Sequence, residues 1–271
     1  MCLSSKTVFI TGGSRGIGRA IALKLAAHGA NIVIAAKSVT EDPRLGGTIY
    51  SVAQEIEQLG AKALALPCDI RNEQKVQHAV EQALATFGSI DVLINNASAI
   101  YLSNTEQLTV KQFDLMHDIN LRGTFMVAKY CLPHLKAAAG HIVTLSPPLN
   151  MDARWLKTHA AYTIAKYGMT MLTMGWAEEL RAYGVRANTL WPRTTIDTAA
   201  VRNLLGGEAL ANRSRSTAIM ADAVYTMLTE QEQKYNGQML IDEEVLRMAG
   251  VADFDRYAVM PGSDLQTDLF L

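Results

Sequence analysis

The chain has 271 residues but only three cysteines, Cys2, Cys68 and Cys131. They are odd in number and widely spaced, which argues against a disulfide framework or a cysteine metal site and suits a reducing compartment. An excess of one charge is also missing: 25 Lys and Arg stand against 26 Asp and Glu, a net of −1. Without a basic surplus there is no electrostatic case for nucleic acid or anionic lipid as a partner. No apolar run approaches the ~18 residues of a membrane span. The first run, 7–10, is too short for a secretory leader, and the final Asp-Leu-Phe-Leu is not a peroxisomal address. Internal repeats, low-complexity tracts and linkers are lacking as well. The expectation is one cytoplasmic domain acting on a small molecule.

What is present alternates. Residues are 49% hydrophobic and 19% charged, enough apolar material for a sizeable core. Short apolar runs fall at 7–10, 31–36, 61–67, 90–96, 140–146, 185–191 and 237–242. Amphipathic stretches of helical length lie between most of them, at 17–28, 48–59, 72–87, 109–136 and 160–182. Strands without clean alternation, separated by helices, predict an α/β fold: a doubly wound, Rossmann-type parallel sheet of about seven strands with helices on both faces. One domain over 1–271 is expected, with 243–271 as an extension past the last strand. Ligands of such sheets bind beyond the carboxyl ends of the strands.

The first strand runs into Thr11-Gly-Gly-Ser-Arg-Gly-Ile-Gly18 and then a helix. Glycines 12, 16 and 18 permit a tight turn and let backbone approach a pyrophosphate at a helix N-terminus. The loop residues Gly12, Ser14, Arg15, Gly16, Ile17 and Gly18 are therefore candidate cofactor ligands. About 20 residues further on, an NAD site usually carries an acid for the ribose 2′-hydroxyl. This chain has Ala36, Lys37 and Ser38 there. Lys37 and Arg15, with no carboxylate, favour the 2′-phosphate of NADP(H).

Tyr162 and Lys166 stand four residues apart on a predicted helix, so their side chains share a face. An ammonium beside a tyrosine favours the tyrosinate and makes Tyr162 a plausible general acid or base. Together the glycine spacing, Ile94-Asn-Asn-Ala-Ser98 and Tyr162-Thr-Ile-Ala-Lys166 resemble the short-chain dehydrogenase/reductase family over about residues 6–242. Residues 146–150, 161–169 and 190–194 resemble more narrowly the catalytic domain of the hydroxysteroid dehydrogenase-like proteins.

The resemblance implies hydride transfer between NADP(H) and an alcohol or carbonyl compound, with Tyr162 exchanging the proton. Lys166 also holds the nicotinamide ribose, Asp69 meets the adenine, and Asn96 lines the cofactor. Asn120 helps hold a proton-relaying water, and the loop after Pro192 meets the nicotinamide through Thr195 or Thr198.

Three departures stand out. Counted from Gly140, the family's catalytic serine falls on Pro147, which leaves Ser146 as the candidate hydroxyl and Asn150 as a substitute donor. Arg193 replaces a glycine after Pro192, and Glu243 and Glu244 replace a glycine pair after the last strand. Trp155, Leu149, Met151, Leu204 and Leu205 suggest an apolar, lipid-like or terpenoid substrate. Met169, Met171, Leu172 and Trp176 are candidates for the helix face through which family members form dimers or tetramers. The competing expectation is an NADP-binding sensor or lipid-binding module with little turnover.

Overall fold

Each apolar run becomes a strand of one sheet. The strands are β1 (Thr7–Thr11), β2 (Asn31–Ala36), β3 (Ala63–Pro67), β4 (Val92–Asn95), β5 (His141–Thr144), β6 (Arg186–Trp191) and β7 (Met239–Ile241). The computed structural model describes residues 2–229 and 235–271. Strand order is β3-β2-β1-β4-β5-β6-β7, and every pairing is parallel. The order reverses between β1 and β4, so the crevice beyond their carboxyl ends is the topological switch point.

Both faces are covered, which is why the strands read as unbroken apolar runs. Phe9, Val33, Leu93 and Ile142 point to the face packed by α3 (Glu73–Phe87), α5 (Thr124–Ala138) and α7 (Ala160–Glu179). Ile10, Ile34, Ile94 and Val143 point to the opposite face, under α1 (Gly16–Ala26), α2 (Ile49–Gln58), α9 (Ala218–Thr229) and α10 (Asp242–Met248). The remaining helices are α4 (Val110–Met116), α6 (Arg154–Lys157) and α8 (Gly207–Ala211). Thr48 and Ser51 form a reciprocal capping box on α2, as Thr109 and Gln112 do on α4. Asp91 accepts from Lys6 Nζ at 2.8 Å and Thr7 N at 2.9 Å, tying the starts of β4 and β1.

Two regions differ from the sequence expectation. The helix predicted over 109–136 is α4 and α5 joined by a π-helical segment, His117–Gly123. Packing is close there: a Cβ on Gly123 would lie 2.7 Å from Ile70 Cδ1, so a larger residue would have to push the Ile70 side chain aside. After β7 the chain turns at once into α10. Asp242, Glu243 and Glu244 occupy its first turn, where negative charge suits the helix dipole. Residues 249–271 then run back to the sheet edge, with isolated bridges from Arg215 to Ala258 and from Thr194 to Thr267.

Candidate active site

The glycine loop is held by sequence-specific contacts. Asn96 Nδ2 donates to the carbonyls of Thr11 and Gly12, each at 2.9 Å. A Cβ on Gly18 would lie 2.5 Å from that nitrogen and 2.6 Å from Gly12 O, and one on Gly12 would lie 2.9 Å from Ala97 Cα. Gly12 and Gly16 have φ of 67° and 54°, the left-handed region that glycine enters freely. Arg15, the N-cap of α1, supplies no side-chain cap. The first-turn N–H groups at Gly16, Ile17 and Gly18 thus lack a side-chain partner, as an anion site requires. Ser14 is buried within the turn. A narrow, donor-rich cradle of this kind fits the pyrophosphate of a dinucleotide.

Arg15 reaches sideways to the end of β2. Its terminal nitrogen donates to Ser38 Oγ at 2.8 Å and Gly47 O at 3.1 Å, while its buried Nε has no partner. Lys37 is exposed beside it. Asp69 follows β3; hydrogen bonds from the Arg71 side chain, 2.9 Å from its Nε, chiefly hold its carboxyl below the usual range. Arg15, Lys37, Asp69 and the glycine loop therefore border the carboxyl ends of β1, β2 and β3.

The reacting end is built on α7. Tyr162, Lys166, Thr170 and Thr173 recur at helical spacing and face the end of β5. Lys166 Nζ donates to Leu145 O at 2.6 Å, and Thr173 Oγ1 to Thr144 Oγ1 at 2.8 Å. Thr170 Oγ1 donates to Ser146 Oγ, 2.9 Å away, and also lies 2.7 Å from Pro147 O. The Ser146 hydroxyl is fully buried and level with Thr170. Eight residues separate Thr170 from Tyr162, about 12 Å along the helix. The side-chain hydrogen bond that holds Ser146 Oγ is thus with Thr170 and not with Tyr162. Pro147 stops the ladder and turns Ser146 inward against α7. Asn150 lies nearer the reacting end, its Nδ2 donating to Phe270 O at 3.1 Å.

Burial pushes the Tyr162 hydroxyl well above the usual tyrosine range, and the Asp268 carboxylate adds to the effect. Lys166 is pushed down to about 7 by burial, against the opposing pull of Asp268. Asp268 keeps some residue surface exposed, yet its carboxyl is enclosed and desolvation raises it to about 7. Asn120 sits in the π-helical segment and clamps Ala99, accepting from its N–H at 2.8 Å and donating to its carbonyl at 2.9 Å.

After β6, Pro192 is buried and Asp242 accepts from Arg193 N at 2.8 Å. The Arg193 guanidinium pairs with Glu244, so two of the chain's departures from the family pattern compensate each other. Thr195 Oγ1 is spent on Ser214 Oγ at 2.7 Å, whereas the Thr198 side chain lies 3.4 Å from where a Gly16 Cβ would be. Thr198, not Thr195, therefore borders the glycine loop.

Sequence reading missed an aromatic box at this end. Phe270, 1% exposed, is ringed by Tyr167, Trp155, Trp191, His159 and Tyr162 at centroid distances of 5.3, 5.6, 5.9, 6.0 and 6.2 Å. The signal was the aromatic content of 155–167 and of 270, residues too far apart in sequence to show a shared pocket. Of the apolar candidates, Trp155 joins the box, while Leu149, Met151 and Leu205 are exposed; the Leu204 side chain lies outside those described. On α7, Met169 and Trp176 are buried within the subunit and Met171 is exposed.

The short chain dehydrogenase family model matches residues 6–208. Hydroxysteroid dehydrogenase-like protein 2 of Danio rerio is 53% identical over 270 residues, and that of Homo sapiens 50%. In both cases 99% of this chain is covered, and the chain spans 64% of the relative's length. A crystal structure of a Xanthomonas campestris protein superposes with a TM-score of 0.95 at 50% identity, covering 100% of this chain and 99% of the other. Among structures of lower identity, a metagenomic short-chain oxidoreductase holds NADP and a dehydrogenase of Mycobacterium paratuberculosis holds NAD.

Proposed function

Because the chain belongs to the short-chain dehydrogenase family of nicotinamide-dependent oxidoreductases, we propose that it moves a hydride between NADP(H) and an alcohol or carbonyl compound with an apolar body. The observation that carries this reading is the Tyr162–Lys166 pair, buried on one face of α7 at the carboxyl edge of the sheet that bears the glycine loop. When bound, the cofactor supplies or accepts the hydride. Gly12, Ser14, Arg15, Gly16, Ile17 and Gly18 hold its pyrophosphate, Lys37 and Arg15 its 2′-phosphate, and Asp69 and Asn96 border its adenine and central groove. Pro192 and Thr198 line the nicotinamide end.

Tyr162 then gives its proton to the carbonyl oxygen in reduction. Lys166 supports the tyrosine electrostatically and holds the nicotinamide ribose. Asn120 orders the turn that carries the relaying water. Ser146 acts as a strut between β5 and α7. Among the described residues no helix is long and apolar enough to cross a membrane, and all three cysteines are free, in keeping with a reducing cytoplasm. Exposed Ile164 and Met171 on α7 and Phe125 on α5 offer an apolar face for a homodimer or homotetramer. An intact Tyr–Lys pair argues against the sensor alternative.

The test is NADPH oxidation with a panel of aldehydes and ketones, repeated with Tyr162→Phe. Loss of the phenol should lower kcat by ~10²–10⁴-fold while NADPH affinity holds. Near-normal kcat in the variant would remove Tyr162 from the reaction.

A further inference from the structure

Phe270 does more than fill a gap. Its ring is tilted only 28° from the Tyr162 ring, 6.2 Å away. A substrate whose oxygen is to reach the Tyr162 hydroxyl must bring its carbon skeleton beside that ring, and Phe270 already fills such a space. The adjoining backbone supplies a polar counterpart, because the Phe270 carbonyl accepts from Asn150 Nδ2 at 3.1 Å. An aromatic ring in an aromatic box, with a carbonyl next to it on an amide donor, is how an aryl or cyclic ketone would be held.

The segment carrying Phe270 forms no named strand or helix and is held by isolated hydrogen bonds: Thr195 N to Gln266 O at 2.9 Å, Gln266 N to Arg213 O at 2.8 Å, Asp268 N to Arg193 O at 3.2 Å, Trp191 Nε1 to Leu269 O at 2.9 Å, Asn150 Nδ2 to Phe270 O at 3.1 Å and an Arg154 terminal nitrogen to Leu271 O at 3.2 Å. Phe270 itself has φ of 74°, a left-handed conformation costly for a side-chain-bearing residue. Burial of the ring therefore opposes backbone strain, and a ligand that replaces the ring relieves the strain.

We propose that Phe270 is a built-in occupant of the substrate subsite, displaced by an aryl or cyclic apolar ketone or its alcohol. The ligand's ring takes the box formed by Trp155, His159, Tyr162, Tyr167 and Trp191. This rests on the oxidoreductase reading, which makes Tyr162 the proton donor. It also narrows the substrate class: straight short aldehydes leave the box to Phe270, and flat ring-bearing compounds empty it.

Acetophenone is the probe, used with NADPH and the whole chain. Hydrogen exchange of the amides at 266–270 should speed up when acetophenone is added, as the Asp268 N–H leaves Arg193. In calorimetry, Phe270→Ala should bind acetophenone at least about tenfold tighter, because the closed form no longer competes. Phe270→Leu serves if the alanine variant fails to fold, with the same direction expected. Unchanged or slowed exchange, or equal or weaker binding by a folded variant, overturns the proposal. If acetophenone binds and frees 266–270 but no compound drives NADPH oxidation, the oxidoreductase reading falls and the occupant role stands. If acetophenone turns over with exchange at 266–270 unchanged, the reverse holds.

Discussion

Ser146→Ala separates a strut from a catalytic donor. The Ser146 hydroxyl makes one neutral hydrogen bond, with Thr170, in a site without solvent. Thr170 keeps Pro147 O as an alternative acceptor, so the substitution strands no donor. The loss is then that of one net hydrogen bond, ~0.5–1.5 kcal/mol. At ~2–4 °C per kcal/mol for a domain near this size, Tm should fall by about 1–6 °C. Turnover should stay within about threefold, since removing a preorganised donor at the reacting oxygen would instead cost ~10²–10³-fold. Thr170→Val is the companion. It removes the one proton that Thr170 offers to Ser146 Oγ or Pro147 O, leaves a buried polar atom without its partner and should cost more stability, ~1–3 kcal/mol, again with kcat held. Differential scanning fluorimetry and NADPH oxidation on one reactive ketone give both readouts. A fall in kcat of tenfold or more for Ser146→Ala at unchanged Tm would refute the placement and return Ser146 to the reacting set.

The remaining expectations concern the cofactor end and pH. Lys37→Asp should shift the NADP over NAD affinity ratio by about tenfold or more toward NAD, since it removes a cation and installs a ribose acceptor; an unchanged ratio from titrations of both cofactors counts against NADP preference. Gly18→Ala places a methyl 2.5 Å from Asn96 Nδ2 and 2.6 Å from Gly12 O, so stability should drop by ~1–3 kcal/mol and NADPH binding should fail. Retained affinity in calorimetry would show that the loop is not the cofactor cradle. Asp242, buried and fully enclosed, is pushed up to about 6 from an ordinary 3.8. Between pH ~4 and ~6 the folded chain keeps a proton that the unfolded chain has lost, so this group's contribution to stability falls as pH rises through that window. Asp242→Asn preserves the acceptor for Arg193 N and Glu243 N, so it should raise Tm at pH 7 and lose that advantage near pH 4; a lower Tm at pH 7 would contradict this.

The strands were legible because a sheet covered on both faces demands continuous apolar runs, as in 31–36 and 140–146, and their order follows from helical crossovers. The tight packing at Gly12 and Gly18 and the shared helix face of Tyr162 and Lys166 were legible because they depend on local spacing. The contact of Ser146 with Thr170 was not, since it joins residues 24 apart in sequence. The aromatic box was hidden for the same reason: Phe270 and Tyr162 are joined only by tertiary folding. The roles of Glu243 and Glu244 emerge only once Arg193 and Arg215 are seen opposite them.

The π-helical stretch carries a consequence for insertions and deletions. An i→i+5 turn accommodates one residue more than an α-helix would, and each residue is worth about 100° of helical phase. Met116 before the segment, Asn120 within it, and Val127, Cys131 and Leu135 after it are all buried. Deleting a single residue between 117 and 123 would restore ordinary winding and rotate one side of the joint against the other. Either Asn120 swings off Ala99, or the α5 stripe swings off the sheet. Over these seven residues length is constrained as tightly as identity, and the chain should accept many substitutions there before it accepts one gap.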